Sequence, residues 1–218
     1  MKNIAILTGG DSAEYDISIL SANTVLQHLN PELFKGYIIH LKDDKFTALI
    51  NDEKINLDKN NFTVKLENKT ISFDAVFMAL HGPPAENGEI QPYFDKLNIP
   101  YTSCNAKVSA LTFDKYKCNT KLKQLGFNCA QSYMYAKGNE IHIDTIVDTV
   151  GLPCFVKPNG AGSSHGISKV KQESKLNSAI NYALKHDKKV LIEQFIDGTE
   201  VSSGVFFNGE LIQALPIT

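Results

Sequence analysis

The sequence predicts an α/β protein in which an open parallel α/β domain is followed by a smaller α+β unit. A buried strand run at Asn3–Leu7 leads through a glycine turn into a helical pattern, which is the first half of a βαβ unit. Phe73–Leu80 is almost continuously apolar, as in parallel strands. Beyond residue 105 the order of predicted strands and helices changes, and strands flank a glycine- and serine-rich loop at 158–166.

The first unit reads as alternating strands and helices. Apolar residues at helical spacing from Ile19 to Leu29 predict a helix, with Asp11 or Ser12 as its N-cap. The remaining elements expected here are a strand at 35–41, a polar surface hairpin or meander at 44–72, a helix at 88–97 and a short strand at 99–102.

The second unit begins with a helical stretch at 105–126. Strands are predicted at 130–136, 153–157, 167–171 and 190–195, with a helix at 140–150. A further helix is expected to present Leu176, Ile180, Ala183 and Leu184 on one face. The chain ends in two strands, 200–207 and 210–217, around an Asn208-Gly209 turn.

Composition excludes several classes of function. All 22 basic residues are lysines and the net charge is −2, which argues against a nucleic acid or an anionic membrane as partner. No apolar run approaches the ~20 residues of a membrane span, and the N-terminal run is too short for a signal peptide. The four cysteines lack metal or redox spacing, so a cytoplasmic protein with reduced thiols is expected.

The loop at 158–166 is the most informative local feature. Its glycines allow backbone N–H groups to converge on an anion, and Lys157 before it favours a phosphate. The alternative is a flexible hairpin tip. The chain contains no Gly-Lys-Ser/Thr of a Walker A loop, and the Gly9-Gly10 turn lacks the dinucleotide fingerprint.

Two polar residues follow strands of the first unit. Glu14 follows the first strand and His81 ends the strand at 73–80, so both are expected to face one crevice beyond the carboxyl ends of the strands. The alternatives are that Glu14 complements a helix dipole and that His81 is structural, as single histidines more often are. Glu86 is a weaker candidate on the same segment as His81.

Further charged residues lie in the second unit. Glu193 and Glu200 surround a strand end and a turn, where carboxylates can accept hydrogen bonds from a ribose or an exocyclic amine and Phe195 supplies an apolar face. The lysines at 115, 117, 121 and 123 most simply form a solvated helix face, with Lys115 at the helix start as the candidate exception.

Six collinear stretches make the sequence resemble the D-alanine–D-alanine ligases of the ATP-grasp superfamily. They are Gly9–Ser18, Ala79–Gly88, Pro100–Ser103, Phe113–Lys115, Val156–Gly166 and Leu191–Phe195. The resemblance spans all 218 residues. It implies an N-terminal pre-ATP-grasp domain at 1–104, a central ATP-grasp subdomain at 105–197 and the start of a C-terminal ATP-grasp domain at 198–218.

The resemblance also implies the D-alanine site. Glu14 would hold the ammonium of the first D-alanine, and His81 would lie near the carboxylate of that substrate. Ser163 would hydrogen-bond Glu14, so that Glu14 and Ser163 form the catalytic pair, and Ser163 also belongs to the loop that covers the nucleotide.

For ATP, the resemblance implies a larger set of contacts. Lys115 and Lys157 would contact phosphate oxygens, and Ser164 with its loop backbone would cover them. The base and ribose would be held by Phe155 and Phe195 flanking the adenine, Glu193 accepting from its amine, backbone groups of Gln194 and Ile196, and Glu200 on the ribose. Gln194 stands where many relatives have lysine.

The implied reaction serves peptidoglycan precursor synthesis. The γ-phosphate of ATP activates one D-alanine carboxylate as an acyl phosphate, and the amine of a second D-alanine displaces phosphate to give D-alanyl-D-alanine and ADP. The family continues past Thr218 with the Mg²⁺ ligands and an arginine at the oxyanion, so we expect a chain that lacks most of the C-terminal domain and is inactive alone. The resemblance also implies a homodimer as a candidate assembly. The alternatives are a catalytically dead ATP-grasp-like binding module and a ligase with a different second substrate.

Overall fold

The computed structural model describes residues 1–162 and 164–218, so the predicted role of Ser163 lies outside the described residues. The N-terminal strands are β1 (Lys2–Gly9), β2 (Phe34–Lys42), β3 (Lys45–Ile50), β4 (Glu53–Asn56), β5 (Val64–Leu66), β6 (Lys69–Ile71) and β7 (Ala75–Met78). Five of them form a sheet in the order β4-β3-β2-β1-β7, in which β1 pairs in parallel with both β2 and β7. The α/β prediction for this half of the chain is confirmed.

The two faces of this sheet are covered differently. Helix α1 (Tyr15–His28) covers one face, where Ala22 packs with Ile6 and Ile38. On the other face Phe62 is fully buried, with its ring centroid 5.0 Å from that of Phe94 on helix α2 (Gln91–Leu97). Because this aromatic cluster packs on the face opposite α1, the sheet has a hydrophobic core on both sides.

The prediction of a polar surface segment at 44–72 is wrong in part. β3 and β4 extend the main sheet by antiparallel pairing, and the β5–β6 hairpin also contributes to the core. Phe46, Phe62 and Val64 are buried although many of their neighbours are charged or polar. Phe46 and Val64 lie on strands, where alternate side chains point to opposite faces, so a mostly polar strand still supplies apolar residues to the core. Phe62 instead reaches the core from the turn before β5, where its φ is 55°.

Two helix boundaries also differ from the prediction. Glu14 occupies the N-cap position of α1, and Ser12 instead accepts a hydrogen bond from the backbone N–H of Glu14 at 3.1 Å. The stretch at 105–126 is two helices, α3 (Ala106–Phe113) and α4 (Lys115–Gln124). They separate because Asp114 is extended and its carboxylate caps the N–H of Lys117 at 3.0 Å.

A second, wholly antiparallel sheet forms the other half of the chain. Its strands are β8 (Ser132–Ala136), β9 (Cys154–Pro158), β10 (Ser168–Val170) and β11 (Lys189–Gln194), in the order β10-β9-β11-β8. Helices α5 (Ile143–Val150) and α6 (Leu176–Ala183) share its core. The predicted α6 face is confirmed for Leu176, Ile180 and Ala183, which are fully buried, whereas Leu184 caps the helix and is partly buried against the same core.

The chain ends in the hairpin β12 (Val205–Phe207) and β13 (Ile212–Ala214). The predicted turn is confirmed, because the Asn208 side chain accepts hydrogen bonds from the N–H groups of Glu210 and Leu211 at 2.9 and 2.8 Å. The strands are shorter than predicted. In the part of the chain that the structure describes, no helix is both long and apolar enough to cross a membrane.

Replacing Gly9 by alanine is expected to lower the free energy of unfolding by about 3 kcal/mol. Gly9 has a φ of 98°, and an added Cβ would lie 2.5 Å from the carbonyl oxygen of Leu41. That oxygen is held in place because it accepts a hydrogen bond from the N–H of Gly10 at 2.8 Å. Urea denaturation measures the loss.

Gly138→Ala is the matched control. Gly138 has a φ of 96°, but an added Cβ would meet nothing within 4 Å. Only the backbone strain applies, so the loss should be about 1 kcal/mol. Equal losses in the two variants would show that the contact with Leu41 has no effect on stability.

Candidate functional site

The two halves of the chain meet at the carboxylate of Glu14. This side chain is 8% exposed although it ends a strand-to-helix turn. A Cβ added to Gly162 would lie 2.6 Å from Glu14 Oε2, and one added to Gly82 would lie 3.2 Å from the same oxygen. The carboxylate therefore lies between two backbone segments that approach it closely because they carry no side chain.

A cavity of about 210 Å³ opens beside Glu14. Its lining comes from both halves of the chain: Ser12, Ala13, Glu14, Pro83, Phe113, Gly160, Ala161, Gly162, His165 and His186. A shielded carboxylate at the wall of a small cavity suits a small cationic group such as an ammonium, since a buried charge is stabilised by an opposite one.

His81 lies next to this site and is held by serines. Its ring Nε2 is 2.8 Å from Ser21 Oγ, and its backbone N–H donates to Ser18 Oγ at 2.9 Å. Ser18 in turn donates to the carbonyl oxygen of Glu14 at 3.1 Å. His81 lines a neighbouring cavity of about 390 Å³, together with Glu86. The structure thus links His81 and Glu14 through Ser18 but places them on adjacent cavities.

The start of the glycine loop is held by four hydrogen bonds. Lys115 Nζ donates to the carbonyl oxygens of Asn159 and Ala161 at 3.3 and 2.5 Å. The N–H of Gly160 donates to Asp187 Oδ2 at 2.6 Å. Asn159 is buried, and its side chain accepts from the N–H of Tyr116 at 2.9 Å. The loop is therefore attached both to the start of α4 and to the segment before β11.

Lys115 sits in an environment that disfavours its charge. Burial lowers the pKa of Lys115, and the nearby positive charge of Lys157 lowers it further. Lys115 and Lys157 therefore repel each other near the start of the glycine loop, although the carboxylates of Asp187, Glu193 and Glu86 offset part of this effect. An anion such as a phosphate would relieve that repulsion.

A third cavity, of about 420 Å³, is lined by both lysines. Its lining is Thr112, Lys115, Cys118, Asn119, Asn128, Cys129, Ala130, Lys157 and Glu193. Glu193 is 8% exposed. Its Oε1 accepts a hydrogen bond from Asn119 Nδ2 at 2.5 Å, and its Oε2 forms an ion pair with Lys157.

Strand register explains the ion pair. In the antiparallel pairing of β9 with β11, Phe155 lies opposite Glu193 and Lys157 lies opposite Leu191. Lys157 and Glu193 are therefore diagonal neighbours on one face of the sheet. The residue predicted to contact phosphate and the residue predicted to accept from the base thus contact each other.

The other predicted nucleotide residues lie outside this lining. The rings of Phe155 and Phe195 lie 5.9 Å apart at 53°, so they contact each other, and Lys169 Nζ is 3.3 Å from the centre of the Phe195 ring. The N–H of Gln194 already donates to the carbonyl oxygen of Gln131 at 2.9 Å. The three remaining residues are exposed: Ser164, Ile196 and Glu200.

Three residues of this region were missed in the sequence, namely Asn119, Asn159 and Asp187. Asn119 had a readable signal, because it lies one helical turn after Lys115 and so shares its face of the helix. Asn159 and Asp187 had none, since asparagine and aspartate are common in turns for purely local reasons.

A metal site is not formed by the described residues. Within 1–162 and 164–218, no three His, Cys, Asp or Glu side chains come together in a way that could hold a metal ion. The side chains present therefore do not fit the Mg²⁺ that the resemblance implies.

Comparison with known proteins gives one consistent family. The family models described as the D-ala D-ala ligase N-terminus and C-terminus match residues 3–104 and 119–218. The chain is 49% identical over 220 residues to the D-alanine–D-alanine ligase of Flavobacterium johnsoniae, a match that covers all of this chain and 68% of that protein.

Solved structures agree with the sequence matches. The VanG D-Ala:D-Ser ligase from Enterococcus faecalis superimposes with a TM-score of 0.86 at 28% identity, over 99% of this chain and 68% of that one. The D-alanine–D-alanine ligase from Bacillus anthracis complexed with ATP has a TM-score of 0.78 at 26% identity, over 100% of this chain and 65% of that one. The chain therefore spans about two thirds of these proteins, and it belongs to the D-alanine–D-alanine ligase family of ATP-dependent ligases.

Proposed function

We propose that this chain supplies the D-alanine and ATP sites of a ligase that joins two D-alanines into D-alanyl-D-alanine for peptidoglycan precursor synthesis. The observation that carries the proposal is the position of the glycine loop. Gly162 lies against Glu14 on one side, and Lys115 holds the carbonyl oxygen of Ala161 on the other. The loop thus lines a cavity suited to an amino acid, and Lys115, which binds the loop, also lines a cavity suited to a nucleotide.

In the cavity of about 210 Å³ beside Glu14, this carboxylate would accept hydrogen bonds from the ammonium of the first D-alanine. His81, held by Ser21 and Ser18, would lie on the carboxylate side of that substrate. The carboxylate would then point toward the loop, where a phosphoryl group can reach it. Fixing both ends of the substrate aligns its carboxylate for attack, which is the main way in which binding energy accelerates such a step.

The cavity of about 420 Å³, which contains Lys115, Lys157 and Glu193, is the larger cavity of this proposal. Lys115 and Lys157 would bind phosphate oxygens there, and Glu193 would accept a hydrogen bond from the adenine amine. Phe155, Phe195, Gln194, Ile196 and Glu200 would contribute to base and ribose binding after a local rearrangement. Ser163 and Ser164 would cover the phosphates. The D-alanine carboxylate attacks the γ-phosphorus, ADP leaves, and the amine of a second D-alanine displaces phosphate from the acyl phosphate.

A ligase with a different second substrate is the second candidate. Its support is the overlap with VanG, a D-Ala:D-Ser ligase, which is as extensive as the overlap with the D-alanine–D-alanine ligases. Incubation of a full-length ligase that contains this chain with ATP, D-alanine and D-serine, followed by mass analysis of the dipeptides, separates the two. If that full-length protein binds both ligands but releases no phosphate, it is instead a binding module.

Three further features belong to the same proposal. The functional units would be 1–104, 105–197 and 198–218, and the active protein would be a homodimer in the cytoplasm with only small molecules as substrates. All four cysteines are free thiols, which supports a reducing compartment.

The cysteines provide a direct test of the nucleotide site. Cys118 and Cys129 line the larger cavity, so ATP is expected to slow their alkylation by iodoacetamide at least about fivefold at saturation. Cys104 is exposed and lines the cavity that contains His81, so its alkylation should be unaffected. Mass spectrometry of tryptic peptides reports each thiol separately.

Cys154 is the control for unfolding in this experiment. It is fully buried in β9, and burial raises the pKa of its thiol, so it should stay unmodified while the chain is folded. Equal protection of Cys104 and Cys118 would indicate a global effect of ATP. An absence of protection at Cys118 and Cys129 would contradict the assignment of the larger cavity to ATP.

A further inference from the structure

The carboxylate of Glu193 is oriented by one neutral and one charged partner. Asn119 Nδ2 donates to Oε1 at 2.5 Å, and Lys157 pairs with Oε2. An ionised carboxylate only accepts hydrogen bonds and has about four acceptor positions, so two remain after these contacts. The plane of the carboxylate is therefore set, while part of its capacity faces the cavity.

The two partners differ in how firmly they can hold Glu193. Lys157 has a flexible side chain and a point charge that a phosphate can attract away. Asn119 has a short side chain on α4, and the start of that helix is attached to the glycine loop through Lys115 and Tyr116. Asn119 is therefore the partner that stays in place when Lys157 turns toward a phosphate.

We propose that Asn119 is a positioning residue that orients Glu193 toward the exocyclic amine of adenine and thereby sets the preference for ATP over GTP. This inference rests on the proposed function, because it takes the larger cavity to be the ATP site. Adenine offers a donor at C6, whereas guanine offers a carbonyl oxygen, which an oriented carboxylate repels. Asn119 and Lys115 lie on one face of α4, so the same helix would couple base reading to phosphate binding.

The test compares ATP with purine riboside triphosphate, which lacks the amine. In Asn119→Leu the shape is similar but the donor is lost, so affinity for ATP should fall about tenfold, as expected for one hydrogen bond to a charged group. Affinity for purine riboside triphosphate should change less than about twofold, because this analogue has no amine that could donate a hydrogen bond to Glu193. Affinity for GTP should stay equal or rise. Isothermal titration calorimetry measures all three.

Asn128→Leu is the matched control. Asn128 lines the same cavity, but the contacts that orient Glu193 come from Asn119 and Lys157. It should retain the ATP-to-analogue ratio even if both affinities fall. An equal fall for ATP and the analogue in Asn119→Leu, or an unchanged affinity for ATP, would overturn the inference while leaving the ATP site intact. If the unaltered chain binds neither nucleotide, the proposed function fails and the inference fails with it.

Discussion

Glu14→Gln is expected to reduce the affinity for D-alanine by at least about 100-fold, to the point where titration detects no binding. The amide has nearly the size of the carboxylate, so the packing against Gly82 and Gly162 is retained. What is lost is the negative charge that would balance the ammonium of D-alanine in a shielded cavity. Affinity for ATP should change little, because Lys115, Lys157 and Glu193 line a different cavity.

Glu86→Gln provides the control for this experiment. Glu86 lines the cavity that also contains His81, so the same chemical change is made close to the site but away from Glu14. D-alanine affinity should stay within about twofold of the unaltered chain, as for most surface substitutions. Unchanged affinity for D-alanine in Glu14→Gln would show that the ammonium is bound elsewhere. A parallel loss for ATP would point to a general disturbance of the loop.

Much of the fold follows from periodicity in the sequence. The nearly continuous apolar run at 73–80 identifies a parallel strand, because buried parallel strands are apolar on both faces, and the strand–turn–helix pattern that begins at Asn3 identifies the first half of a βαβ unit. The break between α3 and α4 was missed because it depends on Asp114 capping the next helix, where a continuous helix was equally compatible with the pattern. Phe62 was missed because its neighbours are asparagines and lysines, and its burial is decided by contacts with distant residues such as Phe94.

The site was predictable only as a set of single residues. Glu14, Lys115, Lys157 and Glu193 stand at strand and helix ends where ligands commonly bind. Their partners depend on distances across the chain: Asn119 and Glu193 are 74 positions apart, and Gly160 and Asp187 are 27 apart. No local pattern encodes such pairs. The pairing of Lys157 with Glu193 follows from a strand register that only the folded sheet reveals.

The absence of arginine bears on how this site can work. Every cation is a lysine, and a lysine is a point charge with three donors on a flexible stem, so it can exchange one anionic partner for another. An arginine at position 157 would bind Glu193 with two parallel hydrogen bonds and release it less readily. Lys157 is thus suited to hold the Glu193 carboxylate before ATP binds and a phosphate afterwards.

Lys157→Ala is expected to lower the affinity for ATP at least about 100-fold while D-alanine binding changes little. The same change should lower the free energy of unfolding by about 2–4 kcal/mol, because it leaves the Glu193 carboxylate buried without its cation. Lys157→Met, which keeps most of the apolar stem, should show the same loss of ATP affinity with a smaller loss of stability. Calorimetric titration and urea denaturation measure the two effects separately.

The double variant Lys157→Met/Glu193→Gln separates ligand binding from stability. Removing both charges eliminates the uncompensated carboxylate, so we expect most of the lost stability to return. Affinity for ATP should stay low, because the cation that would contact the phosphate is still absent and the amide is a weaker acceptor for the adenine amine. Recovery of both properties together would mean that Lys157 affects ATP only through the fold. Retention of full ATP affinity in Lys157→Ala would remove Lys157 from the phosphate site altogether.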